Sequence, residues 1–560
     1  MNVKSCTIYT TTFLWLICIS PFLLAQSPGV LVGTTWYDSQ TNGSTGNRIA
    51  VCDDGSIYMC WQNLYGWPYG EYERHIHYAW FDPSGAVFDS GRVDIGDNAG
   101  YATLDIIYGN RAAIAYHWYG TATPRVMLAI DSLPPGQGNF AYFDPPDSLF
   151  SNDPAYPGDC YWPYVAVNTN NIITLVMTEN TPAGARRMML TGSEDGGQTW
   201  RQPNLADTAM VIGTVLDASP VSDKTVFAWP EPLDHTSQWR NDIGYIVSED
   251  GWNWDWAYEH CNITDYEYDS DSLWAYTDMD AIFDYDDNVH LVWNARRIDD
   301  EGLHNPIYLF HYCDATDEIT EITHHPESDY WMDIGGTWNL TICKMNMGVC
   351  DIEDGNDGIF VTWTQFDTSD VSAHGYGNGE LYMSYSIDNG LTWSLPENLT
   401  NSPTPGCQAG DCDNDNWSSL ADVVDDSLHI IYMNDKDPAA STRNEGLPTE
   451  SPVMYLAVPN PLTTGIDDDV SLPINLVLHQ NYPNPFNNET VISFELRKSS
   501  LIKLAIYDIT GRLIESLIDE PMPSGQHHII WRAEGLASGI YFYTLSSGDN
   551  LIVRKALVVK

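Results

Sequence analysis

The sequence predicts an all-β chain, a seven-bladed β-propeller with six or eight blades as the alternatives, followed by a small antiparallel β-sandwich. Three observations predict it. A hairpin of two β-rich strands around a tight polar turn recurs along the chain. Most copies are followed by a second strand pair, and the composition changes abruptly near residue 481. Long helical periodicity is absent throughout.

Taken in chain order, "TTFLWLICISPFLLA" behind Lys4 reads as the apolar core of a signal peptide, with cleavage expected after Ala25. The run is short and broken by Pro21, so no membrane anchor is expected to remain after signal removal. The hairpins then follow as "RIAVCDDGSIYMCWQ" (48–62), "ATLDIIYGNRAAIAYHW" (102–118) and "YVAVNTNNIITLVMTE" (164–179). They continue as "VLDASPVSDKTVFAWP" (215–230), "MDAIFDYDDNVHLVWN" (279–294), "GVCDIEDGNDGIFVTWT" (348–364) and "LADVVDDSLHIIYMN" (420–434). Four strands per unit, repeated about seven times, is the pattern of a propeller. The last unit offers only three strands, ending in "VMYLAV" (453–458), while "GVLVGTTWYD" (29–38) stands unassigned ahead of the first. The N-terminal strand is therefore expected to complete the last blade, leaving no exposed sheet edge.

The octapeptide "SEDGGQTW" (193–200) recurs as "SIDNGLTW" (386–393) and, worn down, as "SEDGWNW" (248–254), each at a turn between third and fourth strands. It resembles the Asp-box of sialidase-like (BNR) propellers. The residues that carry the resemblance are Ser193, Asp195, Gly197 and Trp200, then Ser248 and Asp250, then Ser386, Asp388, Gly390 and Trp393. Ser and Asp can satisfy turn N–H groups, Gly can supply the positive φ, and Trp can pack between blades. The box reads as a structural device, on the face opposite the loops expected to carry function.

Beyond a polar linker (461–476), the tail carries "NYPNPFN" (481–487), "LAIYDITGRLIESL" (504–517) and "GLASGIYFYTLSSGDNLIVRKALVVK" (535–560). It resembles the type IX secretion system C-terminal sorting domain (type A), assigned here to residues 477–560, with the propeller at 26–460. The resemblance implies handling by the type IX machinery, and release from or attachment to the surface of a Gram-negative bacterium after passage through the periplasm.

Charge and cysteine narrow the function. The chain has 560 residues, 77 acidic and 24 basic, for a net charge of -53. From Asn481 onward 8 acidic residues balance 8 basic ones, so the excess lies upstream. That field excludes nucleic acid and anionic membranes as partners and leaves cations as candidate ligands. Nine cysteines follow the signal peptide, an odd number. Cys407 with Cys412, and Cys343 with Cys350, are close enough in sequence for local disulfides.

Candidate site residues lie on the face opposite the octapeptides. Trp61, Trp118, Trp229, Trp293 and Trp363 recur at equivalent ends of second strands, as repeat packing or as an aromatic ring around a central funnel. A sialidase needs three Arg to clamp a carboxylate. Arg48 and Ile49 match part of that family's first motif, but Asn47 and Ala50 depart from it, and Arg74, Arg240, Arg296 and Arg297 fall in no family motif. Glu231 and Asp278 are the carboxylate pair another glycosidase could use. Asp411, Asp413, Asp415 and Asp422 have calcium-loop spacing, though Asn416 replaces the turn Gly and an Asp replaces the bidentate Glu. The expected function is an exported binding module for a glycan or protein, rather than an enzyme. A sialidase-like glycoside hydrolase and a non-catalytic adhesive or structural surface protein are the alternatives.

Overall fold

The computed structural model describes residues 27–64, 73–85, 88–96, 98–119, 124–146, 159–180, 186–207, 213–232, 240–256, 260–266, 273–299, 302–325, 334–337, 339–352, 356–463, 476–478 and most of 481–559. The expected leader, residues 1–25, lies outside them, as do residues 65–72, 233–239, 267–272 and 300–301.

The strand pairings form seven four-stranded antiparallel units among the described residues. The first runs Ile49–Val51, Ile57–Leu64, Arg74–Phe81 and Phe88–Arg92; the second Gly100–Ile107, Arg111–Trp118, Arg125–Asp131 and Phe140–Phe143. The third is Asp159–Val167, Ile173–Asn180, Arg186–Ser193 and Asn204–Asp207. The fourth and fifth (Val215 to Asn262, Leu273 to His324) are linked by one pairing, Asn241 with Ala275. The sixth spans Ile342 to Asn398. The seventh takes Asn414–Leu420, Ser427–Asp435 and Ser451–Pro459, and its outermost strand is Val30–Thr35 from the start of the chain. From the first unit to the seventh, each first strand lies against the first strand of the next; at the last junction Ile49–Val51 packs against Ser427–Asp435 and the Arg48 N–H donates to Ser419 Oγ, so the sheets close into a propeller ring.

Apolar alternation explains the packing. Between the first and second units, for example, Tyr58, Cys60, Ile76 and Tyr78 meet Leu104, Ile114 and Tyr116 in one buried cluster. The inner strands are also tied by carboxylates. Asp105 accepts the N–H of Val167 (2.6 Å), Asp217 that of Phe283 (3.1 Å) and Asp280 that of Met347 (2.7 Å). Asp422 takes the Asn47 side-chain amide (2.6 Å). The first three join one unit to the next around the central channel, and the fourth ties the seventh unit to the segment that leads into the first.

The octapeptide turns are built as hydrogen-bonded knots. The Asp388 carboxylate receives the Thr392 N–H (2.8 Å), the Thr392 hydroxyl (2.6 Å) and the Ser386 hydroxyl (2.8 Å), while the Gly390 N–H donates to Ser386 Oγ (2.9 Å). Ser193, Asp195, Gly197 and Thr199 repeat the pattern. In the worn copy the Asn253 amide donates to Asp250 (2.7 Å) where the others use a Thr hydroxyl. Gly197 and Gly390 sit at φ +87° and +78°, which explains the glycine. Trp393 is buried against the fifth unit and donates from Nε1 to Thr320 Oγ1 (3.2 Å).

Cys407 and Cys412 form a disulfide. Cys343 and Cys350 do not pair with each other: they face different cores, the fifth-to-sixth and the sixth-to-seventh. The C-terminal module is a sandwich of a three-stranded and a four-stranded sheet around Ile492, Phe494, Leu504, Ile506, Trp531 and Tyr543.

Candidate functional site

The centre of the expected ligand face is filled. The segment Thr41–Asn47, between the outer strand of the seventh unit and the first unit, enters the ring axis. Lys344 Nζ donates to Gly43 O (3.3 Å), the Met279 N–H to Ser44 Oγ (3.2 Å), Tyr164 OH to Ser44 O (2.9 Å) and Ser419 Oγ to Gly46 O (3.1 Å). Four units thus hold one short loop.

This plug reassigns several candidates. Asp278 is ion-paired to Lys344 (3.1 Å), and both are buried below it. Arg48 is buried with its guanidinium on the Trp417 carbonyl; burial alone pulls it down to about 10. Glu231 pairs instead with His260 (3.2 Å), so Glu231 and Asp278 are committed to different partners. Arg296 lies over the Tyr276 ring (5.5 Å) and Arg240 is half-buried at the start of a fourth-unit strand. The structure does not bring Arg48, Arg74 and Arg296 onto one pocket; each has its own partners.

The tryptophans form no exposed ring. Trp61, Trp229, Trp293 and Trp363 are buried: Trp61 meets Gly33, Trp229 stacks on Phe227 (4.8 Å), and Trp363 stacks on Tyr382 (5.9 Å). Trp118 is covered by the chain at Gly96. The four calcium-loop aspartates are likewise apart. Asp411 is exposed, Asp413 bonds Lys436, Asp415 bonds Ser402, and Asp422 faces the channel, because a strand begins at Asn414 where the loop would continue. Among the described residues no group of three or more His, Cys, Asp or Glu is placed to hold a metal ion.

A different site emerges off the axis, over the first three units. It is made by bulges. The first strands of the second, third, sixth and seventh units each shift register near their start, at Tyr101, Trp162, Lys344 and Trp417. All four residues take positive φ, from +48° to +56°. That is costly for side chains with a Cβ, and such bulges re-aim side chains at functional sites. Lys344 and Trp417 meet each other beneath the plug, 4.8 Å from ammonium to ring. Tyr101 and Trp162 instead flank a narrow crevice beside Gln40, Thr41 and Ser44.

Around Tyr101 the groups converge on Gly100. A Cβ there would lie 2.3 Å from Gln62 Oε1, 3.3 Å from His117 Nε2 and 3.4 Å from Arg74 Nη1. The Tyr101 N–H donates to Gln62 Oε1 (2.9 Å). Arg74 lies over the Tyr37 and Tyr101 rings (5.3 and 5.7 Å), and no carboxylate pairs with it among the described residues. His117 is 1% exposed and touches Tyr101, Tyr119 and Tyr161 by its ring; neither nitrogen has a hydrogen-bond partner. Burial, then the Arg74 charge, holds it well below the usual imidazole range, so it is neutral. Trp162 extends the row from Tyr161 (5.3 Å). Of this group, Arg74 is the one residue among the candidates expected from the sequence. The signal was the aromatic or Lys just ahead of the inner strands, in "GYAT", "CYWPY", "CKMN" and "NWSS".

Residues 480–560 match the family model of the secretion system C-terminal sorting domain. The chain carries this type IX sorting domain and is exported to the cell surface or beyond. No curated protein matches it by sequence. Among solved structures, an ulvan lyase bound to a GlcA–Rha3S oligosaccharide aligns over 76% of this chain and 96% of its own, at 11% identity and TM-score 0.41. A Hadza microbial sialidase aligns over 70% and 74% (13%, 0.35), and the NanB sialidase from Streptococcus pneumoniae over 78% and 71% (11%, 0.39). Among the described residues no helix is long and apolar enough to cross a membrane.

Proposed function

We propose that this chain, sorted out of the cell by its C-terminal domain, is a glycan-binding propeller whose contact surface is the row Tyr37, Arg74, Tyr101, Tyr119, Tyr161 and Trp162. One observation carries the reading. In a chain with 77 acidic and 24 basic residues, Arg74 has no carboxylate partner among the described residues and lies on two tyrosine rings. Aromatic faces stack on sugar rings, and a guanidinium with free donors fixes their oxygens. The test is a glycan array followed by calorimetry on the best ligand. Arg74→Ala is expected to weaken binding at least about tenfold with an unchanged melting temperature, as loss of a charge-assisted hydrogen bond would. Unchanged affinity in Arg74→Ala sinks the proposal.

A second reading, a glycoside-cleaving enzyme, is favoured by His117. A neutral imidazole with both nitrogens unpartnered, next to a guanidinium and phenol rings, has the parts of a general acid–base centre. Turnover of fluorogenic glycosides or of the bound polymer, abolished in His117→Ala, would establish it. Binding without turnover leaves the binding module.

A further inference from the structure

The third octapeptide copy is altered as well as worn. It is one residue shorter, and Trp252 stands where the full copies carry Gln198 and Leu391, just ahead of the residue that ties the Asp of the turn. The neighbouring unit has changed to match. Gly192 precedes Ser193 where Val247 and Tyr385 precede the other two serines, and a Cβ there would lie 3.1 Å from the Trp252 ring. Arg201, directly after Trp200, lies on that ring at 3.3 Å from its centroid. Its Nη1 donates to the Trp252 carbonyl (2.8 Å) and to Asn253 Oδ1 (3.4 Å).

These changes leave a pocket of about 440 Å³ between the third and fourth units, on the face that carries the octapeptides. Trp252 and Trp254 wall it, with Arg201, Glu249, Asn253 and Asp255 around them. Trp254 is partly exposed here, whereas its counterpart Trp393 is buried. Asp250 is committed inside the turn, where it accepts the N–H groups of Trp252 (2.9 Å) and Asn253 (2.7 Å). Arg201 is not: among the described residues its hydrogen bonds are made by Nη1, which leaves the donors on Nε and Nη2 for a guest. Glu249 and Asp255 are exposed and bring acceptors to the same pocket.

We propose that this pocket binds an uncharged sugar, a neutral pyranose within a glycan chain. An anion would meet Glu249 and Asp255, and a cation would meet Arg201; a neutral guest meets neither repulsion. Indole rings pack on the C–H face of a pyranose, while a planar guanidinium and carboxylates bond its neighbouring hydroxyls. The turn that only staples the blade in its other two copies here doubles as a binding site. It is separate from the row around Arg74, on the other face of the ring, and does not rest on it.

The test is calorimetry on the full exported chain carrying Arg74→Ala, so that the other face does not contribute to the reading. The probes are cellotetraose, xylotetraose, laminaritetraose and mannotetraose at up to about 10 mM, where a millimolar site is largely filled. Tetragalacturonate and choline are the charged controls. At least one neutral tetrasaccharide is expected to bind at least about tenfold more tightly than either control. Trp252→Gln, the residue type of the first copy, and Arg201→Leu should each weaken it at least about tenfold at an unchanged melting temperature. Should Trp252→Gln fail to fold, Arg201→Leu and Glu249→Gln, both at the rim, still decide. Unchanged affinity in the folded variants overturns the proposal. So does binding of no neutral probe, or tighter binding of a charged one.

Discussion

Gly100 shows how little room the off-axis site leaves at its floor. Three polar groups from the first and second units reach within 3.4 Å of where its Cβ would be. Gly100→Ala is therefore expected to fold, since the strand is extended there, yet to push Gln62 and Arg74 apart and lose ligand. An array signal equal to that of the parent would refute this. His290 is the opposite case, a buried charge with a structural role. Burial opposes its protonation, but Asp284 Oδ2 at 3.2 Å, with Cys313 beside it, outweighs that and holds it up to about 9. Its Nδ1–H donates to neutral His311 (2.9 Å), whose ring packs on Trp393 of the next unit (5.0 Å). A raised imidazolium stabilises fully below its unfolded value near 6.5 and stops doing so as pH rises through 9. Melting curves should thus show stability lost between pH 6.5 and 9 in the parent and a flatter response in His290→Gln.

At the scale of the element, the turns and inner strands set the energetics. Asp388 accepts three hydrogen bonds in its turn, and Asp388→Ala should cost about 1–3 kcal/mol while leaving glycan binding alone, since the turn is on the opposite face. A binding defect in that variant would contradict the separation of faces. The inner carboxylates run the other way. Asp105 and Asp280 are pushed up to about 7, chiefly by burial. A raised carboxyl holds its proton better when folded, so stability falls as pH rises from about 4 to 7 and stays reduced above that. Asp280→Asn keeps an acceptor for the Met347 N–H and should raise the melting temperature at pH 8 but not at pH 4; a lower value at pH 8 would disprove it. The hairpins, the second strand pairs and the octapeptide turns were legible because strand alternation and turn chemistry are local. The site was not. Trp61, Trp229, Trp293 and Trp363 repeat in sequence, and repetition in a propeller marks what every blade must pack. Tyr101 and His117 matter through a bulge, a positive φ and the close approach of both strands at Gly100, and the short "GYAT" pattern ahead of the strand does not display that convergence.

For the whole molecule, both titrations point in one direction. Between pH 5 and 9 the inner carboxylates and then His290 each withdraw stability as pH rises, while a net charge of -53 adds repulsion. The protein is expected to be most stable on the acid side of neutrality, and a melting temperature higher at pH 8 than at pH 5 would refute the account. The outline of the ring was readable in the strand count, including the use of the first strand to finish the last unit. The plug was not, because "SQTNGSTGN" reads as an ordinary polar loop until its partners from four units are known.

That loop also sets a timetable. Asn47 finds its partner at Asp422, 375 residues later in synthesis, and the strand Val30–Thr35 must wait for Ser451–Pro459. The strand Val30–Thr35 and the loop behind it are an open commitment until the seventh unit exists, although the sheets between them are local in sequence. A protein wired this way closes its ring only once the seventh unit has been made, however early its other sheets form.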